Sequence, residues 1–331
     1  MGTPMVAALW AGAHDRTMDR AASPRSVADP GRLRELVESL PAPRVRSVGP
    51  AAMESADRMI LDAFGSAGWP AELRPFDLPV PGVNVVATRE GAARDAVVVV
   101  AHHDTVPGSG GADDNGSGVA GLVELARLLA PLRLPRTVVL AAVDYEESGL
   151  LGSQHLVREL TAARPVIGAF VFEMLGYADH EPGSQQLPPG FGLLYPRLAR
   201  RLRRRGLRGD FIAVIHRRSS RRLAATFSDC LREVAGPASA VPVRAPSDVP
   251  LLGAALAMAM PLVRNFARSD HVSFWEAGVP AVQLTDTANF RNPHYHRPGD
   301  TPETLDYDLL ADVVTATARA VERIAGGRAG S

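Results

Sequence analysis

Three short apolar runs in this chain each lead to an acid or an imidazole, and no other feature of the sequence constrains the fold as much. Residues 96–101 lead into His102, residues 138–143 lead towards the pair Glu146-Glu147, and residues 167–172 lead into Glu173. Short apolar runs bounded by polar residues read as strands buried on both faces, the pattern of a parallel sheet. Ligand sites in such sheets gather outside the carboxyl ends of the strands. Separate strands therefore deliver acids and an imidazole to one edge.

The segments between these runs read as helices. Asp29-Pro30 has the form of an N-cap followed by a first-turn proline. A second helical pattern covers roughly residues 51–64, and strand-like segments follow near 73–78 and 83–87. Val119, Leu122, Val123, Ala126 and Leu129 are spaced as one buried stripe of a helix over about 117–129. A long amphipathic helix is expected over about 307–324. This alternation predicts an α/β fold: three α/β/α layers around a central mixed, mostly parallel sheet. Residues 1–28 read as a tail, 29–325 as one domain with an insertion at about 176–261, and 326–331 as a second tail.

Composition matters where it limits the chemistry. The single Cys230 excludes an internal disulfide and a thiolate cluster, so any metal must be held by nitrogen and oxygen. A net charge of +0 offers no general attraction to nucleic acid or to a membrane surface. No run reaches the length of a membrane span. An apolar stretch lies near the start, but no basic residue precedes it. The reading therefore expects no signal peptide and a cytoplasmic rather than secreted chain. The arginines between 200 and 222 read as a solvated helix face, with an anion-attracting rim as the alternative.

The acids and histidines form a specific inventory: His102, Asp104, Asp114, Glu146, Glu147, Glu173 and His296. A dinuclear hydrolytic site needs a bridging carboxylate, one histidine and one acid for each ion, and a free acid as base. Within Glu146-Glu147, one residue can bind metal while its neighbour takes a proton from water. Asp104 can accept the second ring N–H of His102 and fix its tautomer. His103, His155 and His180 read as structural or surface residues, and Asp144 as a strand-end residue. The glycines at 108–111 lack the remainder of a phosphate-binding motif.

With these residues in place the chain resembles a known family. Ala101-His102-His103-Asp104, Gly111-Ala112-Asp113-Asp114-Asn115-Gly116-Ser117-Gly118 and Glu146-Glu147-Ser148-Gly149-Leu150-Leu151-Gly152-Ser153 are similar to motifs of the co-catalytic dizinc aminopeptidases. Bacterial leucyl aminopeptidases and aminopeptidase Y belong to that family. Arg268-Ser269-Asp270-His271 and Tyr295-His296 with Asp300-Thr301 extend the match. The resemblance implies two zinc ions per chain and hydrolysis of a peptide or amino-acid amide. It implies His102 and Glu173 on one ion, Glu147 and His296 on the other, and Asp114 bridging them. Glu146 would be the general base, and Asp104 would orient His102. Tyr295 would hydrogen-bond the oxyanion, and Arg268 would assist substrate binding. The family also carries a cis peptide after the bridging aspartate, here Asp114-Asn115.

One residue departs from the pattern. The aminopeptidases carry aspartate where this chain has Glu173, while related dizinc carboxypeptidases and amide hydrolases often carry glutamate. Aminopeptidase is thus the first expectation, with a dizinc carboxypeptidase or an N-acyl amino acid amidohydrolase as the alternative. A single-zinc glutaminyl-cyclase-like acyltransferase and a non-catalytic scaffold rank below these. The sequence leaves the oligomeric state open.

Overall fold

The computed structural model describes residues 27–77, 79–248 and 261–327. The tail expected over 1–28 thus falls outside the described residues up to residue 26, as does the end of the second tail. Among the described residues, one sheet of eight strands runs in the order β1-β2-β4-β3-β5-β8-β6-β7. Its strands are β1 Ala71–Phe76, β2 Gly82–Arg89, β3 Ala93–His102, β4 Arg136–Val143, β5 Val166–Phe172, β6 Ile212–His216, β7 Ala240–Arg244 and β8 Ala281–Thr285. The pairs β3–β4, β3–β5, β5–β8 and β6–β7 are parallel. The pairs β1–β2, β2–β4 and β6–β8 are antiparallel. The sheet is mixed and mostly parallel, as the apolar runs require.

Side chains of β3 alternate between two cores, because successive residues of a strand face opposite ways. Val97, Val99 and Ala101 join helices α1 (Pro30–Ser39), α2 (Pro50–Ser66) and α3 (Gly118–Leu129) and the long helix Tyr307–Ala325. Val98 and Val100 join the other core, with Leu156 and Leu160 of α4 (Leu151–Ala163) and with Phe274 and Trp275. The result is an α/β/α sandwich. The Asp29 side chain caps α1 by accepting from the Arg32 N–H, and Pro30 occupies its first turn.

α3 follows β3 on one face, and α4 follows β4 on the other. The chain ends of β3 and β4 therefore part at their carboxyl edge, and a crevice opens there. The segment expected as an insertion, about 176–261, supplies β6 and β7, and β6 pairs directly with β8. These strands have five residues each, too short for a clear period. In the helix Pro196–Arg204, Ala199 and Leu202 turn inward while Arg197, Arg200, Arg201, Arg203 and Arg204 are exposed, which is the solvated-face reading. Among the described residues, no helix is long and apolar enough to cross a membrane.

Candidate metal centre

His102 is the last residue of β3, Glu146 and Glu147 lie in the turn after β4, and Glu173 follows β5 directly. Asp114 sits in the loop that opens α3, and His296 in a loop well after β8. Loop residues far apart in sequence meet because parallel strands end on one side.

The contacts define two facing sets. His102 Nε2 lies 3.4 Å from Asp114 Oδ1 and 3.6 Å from Glu173 Oε1. His296 Nε2 lies 3.2 Å from Asp114 Oδ2 and 3.3 Å from Glu147 Oε1. The two oxygens of Asp114 thus face different imidazoles. Ligand atoms about 2.0–2.2 Å from a tetrahedral zinc stand about 3.3–3.6 Å from one another, so these separations fit. His102 Nε2 and Asp114 Oδ1 are also buried without a hydrogen-bond partner. Orphaned buried polar atoms demand an explanation, and a cation between them satisfies both. Ligand atoms of His102, Glu146 and Glu173 fall within 4.8 Å of one another, as do those of Asp114, Glu147 and His296. Glu146 therefore reaches the first set as well.

The electrostatics favour positive charge. Burial alone would lower the His102 imidazole, but Glu173 and Glu146 beside it hold it well above its ordinary value. Burial opposes His296 in the same way, yet Asp114 and Glu147 push it up to about 9. Burial first, and then the charges of Glu173 and Asp270, hold Glu146 well above the usual carboxylate range. Carboxylates crowded in a buried cleft attract cations for this reason.

The surrounding hydrogen bonds fix the ligand loops. Asp104 approaches His102 Nδ1 with its backbone oxygen at 3.1 Å, closer than its carboxylate oxygen at 3.5 Å. That carboxylate instead accepts the N–H groups of Glu146 at 3.1 Å and Glu147 at 3.2 Å. Asp104 therefore orients the histidine chiefly through its main chain and ties the β4 turn with its side chain. The Asp114-Asn115 peptide is cis. The Asn115 amide bonds the Phe172 carbonyl at 2.8 Å and accepts the Met174 N–H at 3.1 Å, anchoring the loop to β5. Asp300 accepts the N–H groups of Asp113 and Asp114 at 2.8 and 3.1 Å. The Tyr295 ring stacks on His296 at 3.8 Å, and Arg268 Nη2 donates to its hydroxyl at 3.1 Å.

Other sequence expectations find their places. His103 is structural, bonded to Asp57 at 2.8 Å, and the strand-end Asp144 pairs with Arg46. His155 stacks on Phe76, and His180 is a surface residue beside Asp306. Two supports escaped the sequence reading. Ser269 Oγ donates to Glu173 Oε2 at 2.7 Å, which only its place beside Arg268 could have suggested. Arg44 is fully buried and donates to main-chain oxygens of the ligand loops, with no periodic signal to reveal it.

The sequence matches peptidase family M28 over residues 84–200 and 253–321. The chain belongs to that family. The Escherichia coli protein YfbL is 33% identical over 309 residues, covering 87% of this chain and 86% of its own. Aminopeptidase YwaD of Bacillus subtilis is 46% identical over 67 residues, 20% of this chain and 15% of its length. This chain spans about half of a protein of Pyrenophora tritici-repentis named "Probable zinc metalloprotease", at 27% identity with 79% of this chain and 55% of that protein covered. BSAP, a zinc aminopeptidase from Bacillus subtilis, superposes with TM-score 0.67 and 16% identity over 92% of this chain and 97% of its own. A glutaminyl cyclase from Porphyromonas gingivalis superposes with TM-score 0.65 and 16% identity over 90% and 99%. These likenesses show a shared fold. Membership of M28, with its relatives named as zinc metalloprotease and aminopeptidase, makes the chain a metallopeptidase.

Proposed function

We propose that the chain is a dinuclear zinc exopeptidase that removes residues from the amino end of peptides. The observation that carries this reading is the placement of Asp114, with one oxygen towards His102 and the other towards His296. His102, Glu173 and Asp114 would hold one ion, and Asp114, Glu147 and His296 the second. When bound, the ions supply Lewis acidity and make a water easier to deprotonate.

The chain's own groups do the rest. Glu146 takes the proton from the attacking water and passes it to the departing amine. Its carboxylate lies beside His102 and Glu173, where it can take up that proton and return it. The Tyr295 hydroxyl receives the Arg268 guanidinium as donor, which leaves its own proton for the oxyanion that develops on the carbonyl. Burial and the Asp114 charge raise the Tyr295 phenol, so that proton is retained at neutral pH. Names of relatives such as aminopeptidase YwaD support the amino-terminal direction.

Glu173 supports a second reading, cleavage next to a free carboxylate or of an N-acyl amino acid, because the longer side chain crowds the space for a free amine. Activity on leucyl anilides, N-blocked leucyl anilides, carboxy-terminal dipeptides and N-acyl amino acids decides between them. Metal analysis of the active protein should approach two ions per chain. One ion per chain at full activity overturns the dinuclear reading. Cleavage of only the blocked substrates overturns the aminopeptidase reading.

A further inference from the structure

The arginines that follow Glu173 in sequence gather at the edge of the sheet that faces away from the metal centre. Between Pro196 and Arg222 the chain carries eleven arginines and one acid, Asp210, so a net charge of +0 conceals a strong local excess. Asp210 pairs with Arg205. Strand β6 runs antiparallel to β8, which is parallel to β5, and β7 is parallel to β6. The carboxyl ends of β6 and β7 therefore lie opposite the edge where β3, β4 and β5 deliver their acids. His216 and Arg244 end these two strands and stand side by side. Arg217 and Arg218 follow His216 and lead into the helix Arg221–Ala235, whose first turn holds Arg221 and Arg222 and no acid. The Tyr195 hydroxyl donates to the Arg244 oxygen at 2.5 Å, which brings Arg197, in the first turn of the helix Pro196–Arg204, to the same edge.

Six guanidiniums thus converge from three parts of the chain: Arg197, Arg217, Arg218, Arg221, Arg222 and Arg244. All but Arg217 are exposed, and Arg217 lies over the Trp275 ring at 4.4 Å. Among the described residues none of the six makes an ion pair: Asp248 accepts only the Arg218 main-chain N–H, and Glu276, beside Trp275, bonds to none of them. Residues 249–260, which follow Asp248, contain no acid that would neutralise them. Cations at the amino end of a helix oppose its dipole, and like charges repel, so the cluster costs stability and folding does not explain it.

We propose that this edge is a docking surface for an anionic phospholipid bilayer, with the metal cleft turned away into water. Leu193, two residues before Tyr195, is 78% exposed, the most of any large apolar residue described. An exposed leucine among arginines suits the bilayer interface, where the apolar chain enters the acyl boundary while the guanidiniums meet phosphates. The arginines lie along an edge rather than around a pit, which matches an extended plane of charge. Single-stranded nucleic acid needs free aromatic faces on which bases stack. Here the Tyr195 ring packs against Phe191 and Phe266, and Trp275 lies under Arg217. The six also stand across the sheet from the metal cleft, so they form no rim to it.

Sedimentation with vesicles of phosphatidylcholine alone, and of phosphatidylcholine with about one third phosphatidylglycerol, tests the surface. The wild type should pellet with the anionic vesicles at about 0.1 M salt, be released at about 0.5 M, and ignore the neutral ones. Arg218→Gln, Arg221→Gln and Arg222→Gln together should weaken partitioning about a hundredfold, at about fivefold for each cation. Lysine at the same three positions should keep most of the binding, because charge rather than fork geometry is read. Leu193→Ser should weaken it about threefold to tenfold. Arg34→Gln with Arg58→Gln, on α1 and α2, should change nothing. Turnover of whichever soluble substrate the wild type cleaves should be unchanged in the triple glutamine variant, which separates a lost surface from a lost fold. Equal pelleting with neutral vesicles, no pelleting at low salt, or full binding by the triple glutamine variant overturns the proposal. So does an association with duplex DNA that is tighter than with the anionic vesicles and lost in the same variant, which would assign the edge to nucleic acid.

Discussion

The guanidinium of Arg44 donates from Nε to the main-chain oxygen of His103 at 2.7 Å. From Nη2 it also bonds the Gly111 oxygen at 2.8 Å, and from Nη1 the Pro41 oxygen at 3.0 Å. One buried side chain thus ties the strand end that carries His102 to the loop that carries Asp114. Burial pushes Arg44 down to about 10, against the raising charges of Asp104, Asp300 and Asp114, so it stays protonated at neutral pH.

Replacing Arg44 with methionine should leave three main-chain oxygens without their donor. The expected loss is about 3–5 kcal/mol, from orphaned acceptors at about 1–3 kcal/mol each with partial relaxation. Chemical denaturation measures it. Arg44→Lys should recover part of the loss, since one ammonium cannot reach all three oxygens. A change below about 1 kcal/mol for Arg44→Met would show that water replaces the guanidinium.

Glu146→Gln should keep its metal and its fold while kcat falls at least 10²–10⁴-fold, the range of about two to four decades typical of a positioned base. Glu147→Gln should instead weaken metal binding, visible as loss of zinc to a chelator. The opposite pattern reverses the two roles, an outcome to take seriously because Glu146 also lies within reach of His102 and Glu173.

Glu173→Asp withdraws the carboxylate and breaks the 2.7 Å bond from Ser269. Activity on aminoacyl substrates should rise relative to blocked or carboxy-terminal ones. Equal or lower relative activity would mean that Glu173 serves only as a ligand, with no influence on substrate polarity.

His271 makes stability depend on pH. Burial lowers its imidazole to about 4, while Nε2 donates to the Phe266 oxygen at 3.0 Å. The unfolded ring takes a proton near about 6.5, and the folded ring does not until about 4. Stability from this group is therefore full above about pH 6.5 and declines as pH falls towards 4. The loss between pH 7.5 and 5 should be about 2 kcal/mol. His271→Gln cannot titrate, so urea midpoints of the two proteins, both with excess chelator, should converge as pH falls. A constant gap would place the His271 pKa near its ordinary value.

The sequence alone marked the strands that lead to His102, Glu146-Glu147 and Glu173, the α/β/α class, and the candidate acids and imidazoles of the metal centre. Each of those depends on residues that are neighbours in the chain: an apolar run and the polar residue near its end. The alternation of Val97 to Val100 between two cores needs only a pleated backbone. Tertiary structure decided what depends on distant partners. Arg44 meets Gly111 across 67 positions, and Ser269 meets Glu173 across 96. β6 and β7 were hidden because five residues carry too little period. β6 finds its place only by pairing with β8, about seventy residues further along the chain, since its apolar residues look in sequence like any buried strand. Ligand chemistry is local and legible, whereas the shape of a pocket is a relation between elements that only packing creates.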